Sequence, residues 1–218
     1  MDYKILYGNS SPMIQVTLNE NETIKAEADA MVGMSSNIEV DGTLDGSLMK
    51  GIGRFFSGEK FFLETLTARN MTGTVLLAPK TIGSIQAINL NGSIGYRIQK
   101  DAFFASFGNV DLNTKTQSLG KAFLSGEGLF IMSATGYGTL FVSCYGAIHE
   151  IEIPAGEEFI VDTGHLVAWP DNMKYSVESV SSTLKSIASG EIFVCKMQGP
   201  GKIYLQTRVK EDFIPPTK

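Results

Sequence analysis

The sequence predicts an all-β chain made of three copies of one unit of about 65 residues, and three recurring markers predict it. The first marker is Ser-Gly-Glu, found as Ser57-Gly58-Glu59, Ser125-Gly126-Glu127 and Ser189-Gly190-Glu191. With 19 Ser, 23 Gly and 14 Glu in 218 residues, random order would give about 0.1 such tripeptides. The second is a glycine opening an alternating strand: Gly73-Thr74-Val75-Leu76, Gly138-Thr139-Leu140-Phe141 and Gly201-Lys202-Ile203-Tyr204. The third lies upstream, where Ala28-Asp29-Ala30-Met31-Val32-Gly33 matches Lys100-Asp101-Ala102-Phe103-Phe104-Ala105 and Thr163-Gly164-His165-Leu166-Val167-Ala168. All three markers keep one order and one period. Many short strands with glycine-rich turns indicate a sandwich or barrel. Such a unit cannot cover both faces of its own sheet, so packing around a pseudo-threefold axis is expected.

The repeats are expected at about 13–80, 83–144 and 148–209, within a single domain over 1–210. In each, a strand (Thr23 to Ala28, Gly95 to Lys100, Glu158 to Thr163) enters a tight bend and leaves through the apolar marker. Asp or Gly at the bend tolerates left-handed or turn geometry. A short helix is expected next, over Leu48–Phe56, Thr116–Leu124 and Val180–Ala188, with the Ser-Gly-Glu glycine as its C-terminal cap. An apolar strand follows each tripeptide, and the glycine-opened strand closes the unit. Pro215-Pro216 cannot extend a central strand, so 211–218 is expected to be a mobile tail.

Composition narrows the function classes. Eighteen basic against 23 acidic residues give a net charge of −5, and the four arginines form no stripe with aromatics. Nucleic acid is therefore not an expected partner. No apolar run reaches the length of a membrane span. Met1 to Pro12 has no secretory pattern. The cysteines, Cys144 and Cys195, lie far apart with no metal-ligand spacing, so a cytoplasmic, reducing setting is expected.

At these residues the chain resembles a known family whose eukaryotic members are called altered inheritance of mitochondria, or mitochondrial biogenesis, proteins. The matching segments are Asn89-Leu90-Asn91-Gly92 with Arg97 to Ser106, Gly156-Glu157 with Ile160 to Ala168, and Ser189 to Arg208. Within the last, Gly199-Pro200-Gly201 and Leu205-Gln206-Thr207-Arg208 resemble the closing motif; Gly51 to Gly58 is similar too. Gly95-Tyr96 and Asp101 depart from the family pattern at bend and strand positions. The resemblance implies a double-stranded β-helix of the type seen in tryptophan RNA-binding attenuation protein. It implies no reaction, and a scaffold or assembly role by analogy.

Few residues are candidates for chemistry. His149 and His165 form no His-x-His pair, so a metal enzyme on a β-helix is disfavoured and His165 reads as structural. Cys144 and Cys195 read as small buried strand residues. No nucleophile elbow or phosphate loop is present. Trp169 is assigned to a core edge or a ligand-contact surface. Glu59, Glu127 and Glu191 would lie on one ring under threefold symmetry and, if inward, could bind a ligand or hard cation; capping or solvation is the plainer reading. Leu48, Ile52, Phe55 and Phe56 form an apolar stretch for core packing, self-association or peripheral membrane docking. The expected function is a non-catalytic binding or scaffold protein with no cofactor and an unknown protein partner or itself as partner. The alternative is a small-ligand or metal-binding protein using the pseudo-axis or an inter-repeat cleft; an enzyme assembled from separate loops is the third.

Overall fold

The computed structural model describes residues 1–8, 11–42, 63–115, 131–179 and 193–213. The three expected helices and all three Ser-Gly-Glu tripeptides lie outside the described residues. Among those described there is no α-helix, and antiparallel strands dominate. The all-β expectation holds.

Among the described residues seventeen strands follow in chain order. The first seven are β1 (Asp2–Leu6), β2 (Met13–Leu18), β3 (Thr23–Glu27), β4 (Met31–Met34), β5 (Ile38–Gly42), β6 (Leu63–Ala68) and β7 (Gly73–Leu77). Then come β8 (Ile85–Asn91), β9 (Tyr96–Gln99), β10 (Phe103–Lys115) and β11 (Ile131–Ser143). The last are β12 (Ile148–Ile153), β13 (Glu158–Asp162), β14 (Leu166–Pro170), β15 (Lys174–Ser179), β16 (Phe193–Gln198) and β17 (Gly201–Gln206). Strict alternation makes β2 and β7 half-buried strands: Ile14, Val16 and Leu18 point inward, as do Val75 and Leu77.

These described strands form three sheets, ordered β1-β2-β7-β4, β12-β17-β14-β9-β11-β10-β3-β6-β5 (with β8 also on β11), and β13-β16-β15. The spine is the β10–β11 hairpin, paired from Phe103↔Val142 to Lys115↔Ile131. Both long strands carry glycines in the left-handed region of φ. Gly108, Gly136 and Gly138 have φ of +90°, +104° and +150°, and a Cβ at Gly136 or Gly138 would strike the carbonyl oxygen of Asn109 or Phe107.

The bends between β3 and β4, β9 and β10, and β13 and β14 fall where the sequence puts them. The first turns through Asp29 at φ +67°; the others are 3-10 turns, Lys100–Ala102 and Thr163–His165. Each following strand carries a one-residue bulge. The register shifts between Met31 and Gly33 on β7, between Phe103 and Ala105 on β11, and between Leu166 and Ala168 on β17.

Among the described residues the core consists of three apolar clusters. The first joins Ile14, Val16, Ile24, Leu66 and Leu77 with Phe104, Ala105 and Phe141. The second joins Ile88, Ile98, Met132 and Leu140 with Val167, Ala168 and Tyr204. The third holds Ile153, Val161, Leu166, Trp169, Met173, Cys195 and Ile203. Bulged residues Phe104 and Val167 are thus buried among side chains from an earlier stretch of chain. Phe104→Ala should lower unfolding free energy by about 3–5 kcal/mol, read from urea denaturation, because it empties a fully buried site.

Candidate functional site

The described residues form a polar cleft of about 130 Å³ where two of these bends meet. Gln99, Asp101, Ser143, Gly164, Gln206 and Lys210 are among its lining. Gln206 is its organiser. Its side-chain amide donates to the Gly164 carbonyl at 2.7 Å and accepts from the Tyr145 backbone N–H at 3.0 Å. Its own carbonyl accepts from His165 Nδ1 at 2.7 Å. His165 is therefore a positioned, hydrogen-bonded residue that ties a bend to β17, as the sequence indicated. His149 is exposed on β12.

The C-terminal segment covers this cleft. Lys210–Phe213 is a 3-10 turn, Phe213 stacks on Tyr145 at 5.6 Å, and Lys210 lies 3.5 Å from Asp101. Residues 211–213, the first of the expected tail, belong to this turn. Burial raises the Tyr145 phenol above its ordinary range, with Lys210 opposing. Nearby, Glu27 sits beside Asp29 and Lys80, with Lys80 Nζ at 3.8 Å from Glu27 and 3.6 Å from Asp29. Glu27 is pushed up chiefly by burial, and also by the negative charges of Asp101 and Asp29; Lys80 pulls the other way.

The thiols are inert by position. Cys195 lies within β16, and Cys144 one residue past the end of β11 rather than inside a strand. Both are buried and free; burial pushes Cys144 up to about 11 and Cys195 up to about 12. Trp169 is fully buried, edge-on to Tyr175 at 5.4 Å, which makes it core and not a contact surface. Arg97 donates to the Met173 carbonyl at 3.0 Å and stands over the Tyr175 ring, so it is occupied internally.

The remaining sequence candidates fall elsewhere. Glu59, Glu127 and Glu191, and the apolar residues Leu48, Ile52, Phe55 and Phe56, lie outside the described residues. Among the described residues no group of three or more His, Cys, Asp or Glu is placed to hold a metal ion. None of their helices is long and apolar enough to cross a membrane. The cleft itself was missed by sequence reading. Gln206 lies in the closing motif, but the pairing of its amide with two distant backbone groups has no local signature.

Fold and site define an all-β protein of packed antiparallel sheets, with a small polar cleft whose hydrogen-bonding groups are largely used by the chain itself. The model of the mitochondrial biogenesis AIM24 family matches residues 3–208, and the chain belongs to that family. An uncharacterized protein of Streptococcus pyogenes serotype M6 is 31% identical, over 93% of this chain and 84% of the relative. A crystal structure of a Streptococcus pyogenes protein superposes with a TM-score of 0.80 at 30% identity, covering 97% of this chain and 95% of that one. The altered inheritance of mitochondria protein 24 of Verticillium alfalfae is 23% identical over 74% of this chain, which spans 42% of that fungal protein.

Two outcomes follow from the electrostatics. Glu27 is harder to ionise in the fold than in the unfolded chain, so its charge opposes folding above the ordinary value of 4.5. Glu27→Gln should therefore raise the melting temperature at pH 7, and the gain should vanish as pH falls below about 4. A thiol reagent at pH 8 should modify neither cysteine in the native protein and both in denaturant.

Proposed function

We propose that this protein is a non-catalytic binding or scaffold protein, built as three like units about a pseudo-threefold axis in the manner of a double-stranded β-helix. The observation that carries the functional reading is the state of its reactive groups. The described thiols are buried and protonated, Tyr145 is held neutral, and the amide and carbonyl of Gln206 in the cleft are already hydrogen-bonded. General acid–base or nucleophilic work needs a group poised near neutral pH beside a partner base.

Support for triplication comes from register. The one-residue shifts lie opposite Leu77, Val142 and Leu205, each four residues after the recurring glycine. The strands flanking them pair alike: Leu18↔Gly73, Leu90↔Gly138 and Ile153↔Gly201. A reducing, cytoplasmic setting suits two free cysteines. The assembly role carried over from the mitochondrial names of the fungal relatives is analogy at family level.

A second reading has the cleft between the bends as a small-ligand site. Its 130 Å³ would hold only a molecule of a few heavy atoms, which favours the scaffold reading. Native mass spectrometry on protein purified without chelator tests both. The expected result is bare polypeptide mass in a defined assembly; a stoichiometric excess mass would overturn the scaffold reading in favour of a bound ligand or metal.

A further inference from the structure

We propose that β4 of one copy of this chain pairs with β13 of a second copy, joining chains head to tail. The inference rests on the triplicated reading above, with the three units left open and not closed on one another, since β4 and β13 end separate sheets, and it names its partner: a second copy of the chain.

Two joints of one kind occur inside the chain. At the first, the strand after a bend pairs antiparallel with the strand before the preceding bend: Ala105↔Ala26, Ser106↔Lys25, Phe107↔Ile24. At the second, the register is the same: Ala168↔Ile98, Trp169↔Arg97, Pro170↔Tyr96. Ala105 and Ala168 each stand directly after a bulge, where Gly33 stands on β4. Ala26, Ile98 and Val161 each precede by one residue the position paired with Leu63, Ile131 or Val194. Carrying the register over gives Gly33↔Val161, Met34↔Ile160 and Ser35↔Phe159.

That third joint is unmade. Among the described residues β4 ends the β1-β2-β7-β4 sheet and β13 ends the β13-β16-β15 sheet, each with one edge unpaired. Their side chains match this state. The bulged residues Phe104 and Val167 are 0% exposed, each inside a neighbouring core cluster, whereas Val32 is 54% exposed and enters none. Met31 and Met34 are 39% and 42% exposed, and Phe159 and Ile160 on the facing strand are 40% and 63% exposed.

Other edges are also open, but only these two are complementary halves of a joint the chain already uses. They also lack the usual protection. β4 carries no charge, and on β13 Glu158 is held by Lys196 at 2.7 Å while Asp162 accepts from the Gly164 N–H. Pairing would extend four strands into seven and bring Val32 onto the third cluster, as Phe104 and Val167 sit on the first and second. The surfaces differ, so the contact is heterologous and yields a ring or an open chain of subunits.

Variants with one added cysteine test this, because the native thiols are buried. Paired Cα atoms in an antiparallel ladder lie about 4.5–5.5 Å apart, within disulfide reach. Met34→Cys and Ile160→Cys are surface changes, and the melting temperature checks their folding. Mixed under mild oxidation, the two variants should give a covalent dimer containing one of each, which neither gives alone. Ile160→Lys should shift the sedimenting species to monomer while keeping the melting curve of the monomeric fold. If the double variant in one chain closes only an internal disulfide, the register stands and the second copy is overturned. If no cross-link forms in any combination and the protein sediments as monomer throughout, the proposal fails together with the equivalence of β4 to β10 and β14, whatever native mass spectrometry finds about bound ligands.

Discussion

The antiparallel joint of a bulged strand against a strand from an earlier stretch of chain is the interaction on which the fold depends. It occurs as β10 on β3 and β14 on β9. Main-chain hydrogen bonds fix the register, and the bulge twists the strand so that its extra residue leaves the ladder. Those extra residues, Phe104 and Val167, go into apolar clusters built mainly from earlier residues. Each joint thus couples backbone pairing to side-chain burial. Neither would hold alone, since a two-stranded pairing is marginal in water and a lone apolar side chain has nothing to cover.

The electrostatics follow from the same joints. Placing β3 beside β10 brings the Glu27 carboxyl close to the bend bearing Asp101, so burial and like charge act on it together. Placing β14 beside β17 sets His165 and Gly164 on Gln206, which spends its polar atoms holding the bends in place. The polar residues here serve geometry. The donors and acceptors of Gln206 are used within the chain, so it acts as a clasp between the bends.

Strand character was legible in the residues. The alternation in β2 and β7 has period two, and Asp29, Gly138 and Gly201 mark conformations that few other residues tolerate. The burial of Cys144, Cys195 and Trp169 and the hydrogen-bonded state of His165 followed from their apolar or bend surroundings. Glu59, Glu127 and Glu191 were legible only as a recurrence; convergence is a matter of three dimensions.

By itself the sequence determined an all-β chain, the bends and the strands on either side of them, because those depend on neighbours a few residues away. Tertiary structure alone decided which strand edges meet. Phe104 and Val32 occupy matching places in a recurring motif, yet one is sealed in a core and the other faces solvent. Phe104 stands on a strand paired with both β3 and β11, whereas among the described residues β4 is paired with β7 alone. No local preference encodes that, because the partner is supplied by residues distant in the chain.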